Sequence, residues 1–201
     1  MTLWLVRHAQ PLVSSGICYG QLDIAADTDA THICATELAK ALPSGIAVAA
    51  SPLQRCEQLA RVLLGLRPDL TCKSDTRLQE MNFGGWESRA WSDIDARELQ
   101  AWTAGFASYR AGDTGESVAQ LMARVADALD ALPAASDTLW ITHAGVIRAA
   151  QLIASGKRQV EHAGEWPLAG PAYGQWCTLE LHPAPRGKSA LTGPRPKTTW
   201  Q

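Results

Sequence analysis

The 201-residue sequence predicts an α/β fold, built as three layers (α/β/α) around a mostly parallel sheet. Three observations carry this. Short unbroken apolar runs, Leu3-Trp4-Leu5-Val6, Ile46-Ala47-Val48-Ala49-Ala50 and Thr138-Leu139-Trp140-Ile141, read as strands buried on both faces. Segments with apolar residues at helical spacing separate them. Each run also stops at charged or imidazole residues: Arg7-His8, Ser51-Pro52-Leu53-Gln54-Arg55, and Thr142-His143-Ala144-Gly145. In a parallel sheet the carboxyl ends of such strands share one edge, where open α/β folds bind ligands.

Taken in order, the first strand is expected at 2–7. Residues 9–28, rich in Pro, Ser, Gly and Asp, read as a long loop of the functional kind. A helix near 29–42 carries Ile33, Leu38, Ala41 and Leu42, and Pro43 stops it. Strand two spans 46–50. Ser51-Pro52 then reads as an N-cap and first turn, opening a helix with Leu53, Cys56, Leu59, Ala60, Leu63 and Leu64 on one stripe. Arg55 in its first turn points back to the strand end. A short strand at 70–74 precedes a glycine-containing loop, Leu78 to Glu87. Residues 93–109 read as an aromatic-rich helix, Gly112 to Gly115 as a turn, and Glu116 to Leu132 as an amphipathic helix. Strand four is 138–142, followed by a helix to about Ser155, and 176–182 alternates as a last strand.

The length fits a single domain over 1–182, with a capping insertion at about 80–115. The remaining residues, 183–201, hold four Pro and four Lys or Arg with no acid, and are expected to be disordered. Hydrophobic residues are 46% and charged residues 19%, values that place the chain among ordinary globular proteins. Formal net charge is -2, so no global field favours nucleic acid or anionic lipid. Five Cys, an odd count without C-x-x-C spacing, read as buried thiols in a reducing compartment. No signal peptide and no apolar stretch of membrane length are present, so a cytoplasmic protein without membrane partners is expected. Oligomeric state is not encoded in any of these patterns.

Two guanidiniums and two imidazoles converging on one edge make a site for a small dianion, with phosphate the natural candidate. Their motifs, together with Leu78-Gln79-Glu80-Met81-Asn82-Phe83-Gly84-Gly85-Trp86-Glu87 and the run Thr142 to Arg148, occur in an order that resembles the histidine phosphatase (phosphoglycerate mutase-like) superfamily. Gly115-Glu116-Ser117 followed by Arg124-Val125 resembles it too. The likeness covers about 1–155. The short length and Cys18-Tyr19-Gly20-Gln21-Leu22-Asp23 look most like its alpha-ribazole phosphatase branch, in cobalamin synthesis. The chain departs from the family pattern at three places: Ala9 and Ser88 replace usual glycines, and Gln10-Pro11-Leu12 stands where many members have Glu-Thr and then an Asn shortly after.

The resemblance implies a phosphomonoester hydrolase working through phosphohistidine. His8 would be the nucleophile, with Arg7, Arg55, His143 and the helix start at Ala144 holding the phosphoryl group. Glu80 would be the general acid, with Glu87 as its rival. Cys18, Tyr19, Gly20 and Trp86 would meet the substrate. Eight Trp residues, including Trp86, Trp91 and Trp102 in the capping segment, offer either packing or a stacking wall for an aromatic base. No metal or other cofactor is expected, and the partner is a small-molecule phosphomonoester. A broad-specificity phosphatase, a mutase, and a phosphate-binding regulatory module without turnover remain as alternatives.

Overall fold

The computed structural model describes residues 1–133 and 136–181. Five strands form one sheet in the order β3-β2-β4-β1-β5. They are β1 (Thr2–Arg7), β2 (Ala47–Ala50), β3 (Cys72–Ser74), β4 (Thr138–Thr142) and β5 (Trp176–Glu180). The first four run parallel, while β5 lies antiparallel on the β1 edge. The expected 183–201 tail lies outside the described residues.

The α-helices among the described residues are α1 (Thr28–Ala41), α2 (Gln54–Leu66), α3 (Ala96–Ala104), α4 (Val118–Asp130) and α5 (Ala144–Ala154). Strand residues alternate between two cores. Val6, Val48, Ala50, Leu139 and Ile141 pack with α1 and α2, whereas Leu3, Leu5 and Trp140 pack with α4, α5 and the 80–111 segment. This alternation produces the three layers.

Local chemistry explains most boundaries. Asp27 caps α1 by accepting from the Ala30 N–H. Ser117 and Gln120 form a reciprocal capping box, which starts α4 at Val118 rather than Glu116. Several expectations need correction. Ile33 is 67% exposed, and the buried face of α1 is Thr31, Cys34, Ala35 and Leu38. Ser51 is not the cap of α2: Leu53 holds that position, and the Ser51 hydroxyl is drawn into the site described below. The expected 93–109 helix is shorter, because Asp95 caps α3 and Gly105 ends it. Trp102, Phe106 and Tyr109 of that stretch pack in the core that holds Leu3, Leu5 and Trp140.

Candidate active site

The register of the sheet assembles the site. Arg7 of β1 lies level with Thr142 of β4, and Ala50 of β2 lies level with Ile141. The next residues, His8 and His143, therefore emerge side by side at the carboxyl edge, and Ser51 follows β2 one step back, beside Thr142. The His8 and His143 rings are 5.1 Å apart between centroids. His8 is 1% exposed, and Arg55 and His143 are fully buried.

His8 is held in one tautomer from both sides. Its Nδ1–H donates to the Ala9 carbonyl at 2.7 Å. Its Nε2 accepts from Arg55 Nε at 3.3 Å. The Nε2 lone pair thus belongs to a neutral ring. Burial and the Arg55 charge push the His8 pKa down to about 3, against its ordinary value of 6.5. Burial also holds His143 well below its ordinary value, with His8 and Arg55 adding to the effect. His143 Nε2 pairs with Ser51 Oγ at 2.8 Å, and its Nδ1 is buried with no partner among the described residues. Arg7 Nε is likewise unpartnered among them. Buried donors left open in this way suit an arriving oxyanion.

Arg55 is positioned by the long first loop. Its Nη1 donates to the Leu22 carbonyl at 2.8 Å and its Nη2 to the Gly20 carbonyl at 2.6 Å. A second N–H remains on each terminal nitrogen. Gly20 sits at φ +25°, and a Cβ there would lie 2.4 Å from both Glu87 Oε1 and the Met81 carbonyl, so the loop closes only around glycine. Glu87 is committed elsewhere: its Oε1 accepts from the Gln21 N–H at 2.8 Å and the Phe83 N–H at 3.0 Å, stapling two loops together.

Glu80 stands at the start of α5. Its Oε2 accepts from the Gly145 N–H at 3.1 Å and its Oε1 from the Met81 N–H at 2.9 Å. A Cβ on Gly145 would be 2.2 Å from Glu80 Oε1, so a glycine makes room for the carboxylate. Ala144 is buried as the first residue of α5. Behind Glu80, Arg124 pairs with Glu116 and donates to the carbonyls of Arg77, Gln79 and Glu80. Thr142 Oγ1 donates to the Leu78 carbonyl at 2.7 Å, tying this segment to β4.

The profile of the histidine phosphatase superfamily (branch 1) matches residues 3–185. The chain belongs to this superfamily. Among solved structures, TTHB049 from Thermus thermophilus is 28% identical with a TM-score of 0.68, over 90% of this chain and 94% of its own. A protein described as mycobacterial hydrolase 2 is 26% identical with a TM-score of 0.74, over 92% of this chain and 83% of its own. A mycobacterial glucosyl-3-phosphoglycerate phosphatase is 25% identical with a TM-score of 0.72, over 88% of both chains. No curated protein is significantly similar to the chain. The protein is a phosphatase with the phosphoglycerate mutase-like α/β fold of the histidine phosphatases. Among the described residues no group of three His, Cys, Asp or Glu side chains is arranged to hold a metal ion, and no helix is long and apolar enough to cross a membrane.

On the substrate side of this histidine phosphatase, two expectations fail. Trp86 is 1% exposed, with its indole N–H on Glu98, so it offers no face to a ligand. Cys18 is equally buried, and its backbone bonds to Ser88 and Arg89. Ser88 itself sits at φ +70°, which explains why glycine suits that position. Aromatic surface is offered instead by a cavity of about 390 Å³, whose walls include Phe83, Trp91, Trp102, Phe106 and Trp166. Glu80, Gly145 and Arg148 share that wall. Tyr19 does reach the site, its hydroxyl 2.8 Å from that of Tyr173.

Tyr173, Ser51 and Arg148 have no catalytic part in the sequence reading. Tyr173 lies 5.6 Å from the His8 ring, and the Arg7 guanidinium stacks 3.7 Å over it. The sequence offered no signal for Tyr173: only the pairing of β5 with β1 carries its loop across the end of β1.

Proposed function

We propose that the protein hydrolyses a small phosphomonoester through a phosphohistidine at His8, and that alpha-ribazole 5'-phosphate is its preferred substrate. The observation that carries the chemistry is the neutral His8 ring, with Nδ1 anchored on the Ala9 carbonyl and Nε2 facing Arg55. His8 Nε2 attacks phosphorus while the bond to the ester oxygen breaks. Arg7, Arg55 and the open Nδ1 of His143 take up charge on the phosphoryl oxygens. Glu80 gives its proton to the departing alkoxide. Its carboxylate then takes a proton from water as that water attacks the phosphoramidate, releasing phosphate and restoring His8.

Two observations support the ribazole reading: the likeness at Cys18 to Asp23, and an aromatic cavity whose wall carries Glu80, the proposed general acid. A flat apolar base can stack there, with Trp91, Trp102 and Trp166 in place of Trp86. The second reading is an acidic sugar phosphate, favoured by the glucosyl-3-phosphoglycerate phosphatase relative. Rapid quench with ³²P-labelled substrate tests the chemistry. Acid-labile, alkali-stable label should appear on His8 and vanish with turnover in His8→Ala, whereas label on Ser or Cys would overturn the assignment. Alpha-ribazole 5'-phosphate should exceed 3-phosphoglycerate in kcat/KM by at least about tenfold. The reverse order would remove the ribazole assignment alone.

A further inference from the structure

Arg148 is a cation that the phosphatase chemistry leaves unused. It sits one helical turn beyond Ala144 on α5, on the face that looks toward the start of the helix. It shares the wall of the aromatic cavity with Glu80 and Gly145. Among the described residues its hydrogen bonding is confined to Nη2 on the Leu168 carbonyl at 3.2 Å, and its buried Nε has no acceptor. No carboxylate among the described residues lies within ion-pair distance of it. The charges it feels are the Glu80 carboxylate and the Arg7 guanidinium, while burial itself lowers its pKa from the ordinary value.

An arginine with open donors on a wall that is apolar apart from Glu80 is matched by a ligand that brings its own acceptor. The position beside Glu80 fixes where that acceptor lies. Glu80 must reach the ester oxygen, so a neighbour of Glu80 meets atoms a few bonds beyond that oxygen. We infer that Arg148 is a specificity-determining residue that donates hydrogen bonds to an oxygen on the leaving group close to the ester, such as a sugar hydroxyl or ring oxygen. The inference rests on the phosphomonoesterase reading and deepens it. It holds whichever base or acid group the substrate carries further out. The aromatic walls take the far, apolar part of the leaving group, and Arg148 separates oxygenated leaving groups from plain hydrocarbon ones.

The alternative is that Arg148 acts only through Glu80, orienting or charging the general acid. The two roles separate with a pair of substrates of equal chemistry. Ribose 5-phosphate and benzyl phosphate are both esters of primary alcohols, so both need the general acid, and only the first carries oxygens near the ester. Steady-state kinetics on wild type, Arg148→Gln and Arg148→Lys, with thermal unfolding as a check on folding, give the readout. The ratio of kcat/KM for ribose 5-phosphate over benzyl phosphate should fall about tenfold or more in Arg148→Gln, the size expected for a lost hydrogen bond to a charged donor. The change should lie in KM, and Arg148→Lys should recover part of it. An unchanged ratio would overturn the inference, whether both substrates slow together or neither does. Failure of the ribazole reading would show differently, in the ranking of substrates by wild-type enzyme with the Arg148 effect intact.

Discussion

At the scale of single residues, the site is defined by which polar atoms are occupied and which are open. Both Glu80 oxygens rest on backbone N–H groups, yet the side chain reaches the wall of the aromatic cavity. Glu87 has its Oε1 bound to two loops and acts as a staple. Glu80→Gln should therefore slow alkyl phosphates by about 10²- to 10⁴-fold and aryl phosphates much less, since aryl leaving groups need little protonation. Gly145→Ala should reproduce that pattern more mildly, because the added methyl displaces the Glu80 carboxylate without straining the helix. Equal losses on alkyl and aryl esters would mark Glu80 as structural. Both glutamates, Gly145 and Gly20 were visible in the sequence as members of motifs. The resemblance ranked Glu80 before Glu87 as general acid; that Glu87 Oε1 joins two loops was not legible, because it depends on which amides the carboxylate meets.

At the scale of elements, strand register and one ion pair do the positioning. The parallel pairing of β1 with β4 levels His8 with His143, and that of β2 with β4 brings Ser51 beside Thr142, one step back. The apolar runs made these strand ends legible, so the convergence of Arg7, His8, Arg55 and His143 followed from sequence. The α2 start did not follow: Ser51 and Pro52 have the chemistry of a helix start, but the Ser51 hydroxyl binds His143 Nε2 instead. A tertiary partner thus overrides a local propensity. The Glu116–Arg124 pair links the capping box of α4 to the backbone under Glu80. Arg124→Met removes this pair and three carbonyl bonds. It should lower unfolding stability by about 3 kcal/mol, as loss of one partner of a largely buried pair does. It should also reduce kcat on alkyl phosphates. Lost stability in urea with kcat unchanged would show that the pair serves the fold alone.

At the scale of the whole molecule, the three layers bury two imidazoles in neutral form, and that couples folding to pH. The folded His8 pKa is about 3, and the unfolded chain titrates at the ordinary 6.5. Below pH 6.5 the unfolded state binds a proton that the folded state refuses. Stability is therefore full above about pH 6.5 and is lost as pH falls toward 3. At pH 5 the loss from His8 alone is about 2 kcal/mol. His143 shifts in the same direction and adds to it. Urea unfolding at pH 7.5 and pH 5 should show a drop that is smaller by about 2 kcal/mol in His8→Gln. An identical drop in the variant would mean that His8 is protonated in the folded protein at pH 5.

The sequence by itself determined the layered α/β class, the strand ends and the cationic and imidazole side chains that gather there. These are local matters of apolar periodicity and of what side chain stands where a run stops. Tertiary structure alone decided which aromatic residues are free to meet a ligand. Trp86 and Trp102 sit in one segment of similar composition, yet Trp86 is sealed in the core and Trp102 lines the cavity. It likewise decided that Tyr173 stands beside the His8 ring, and that Arg148 reaches the wall beside Glu80 with donors still open. The physical reason is that burial and the pairing of polar atoms depend on neighbours far apart in the chain, which residue type and spacing do not specify.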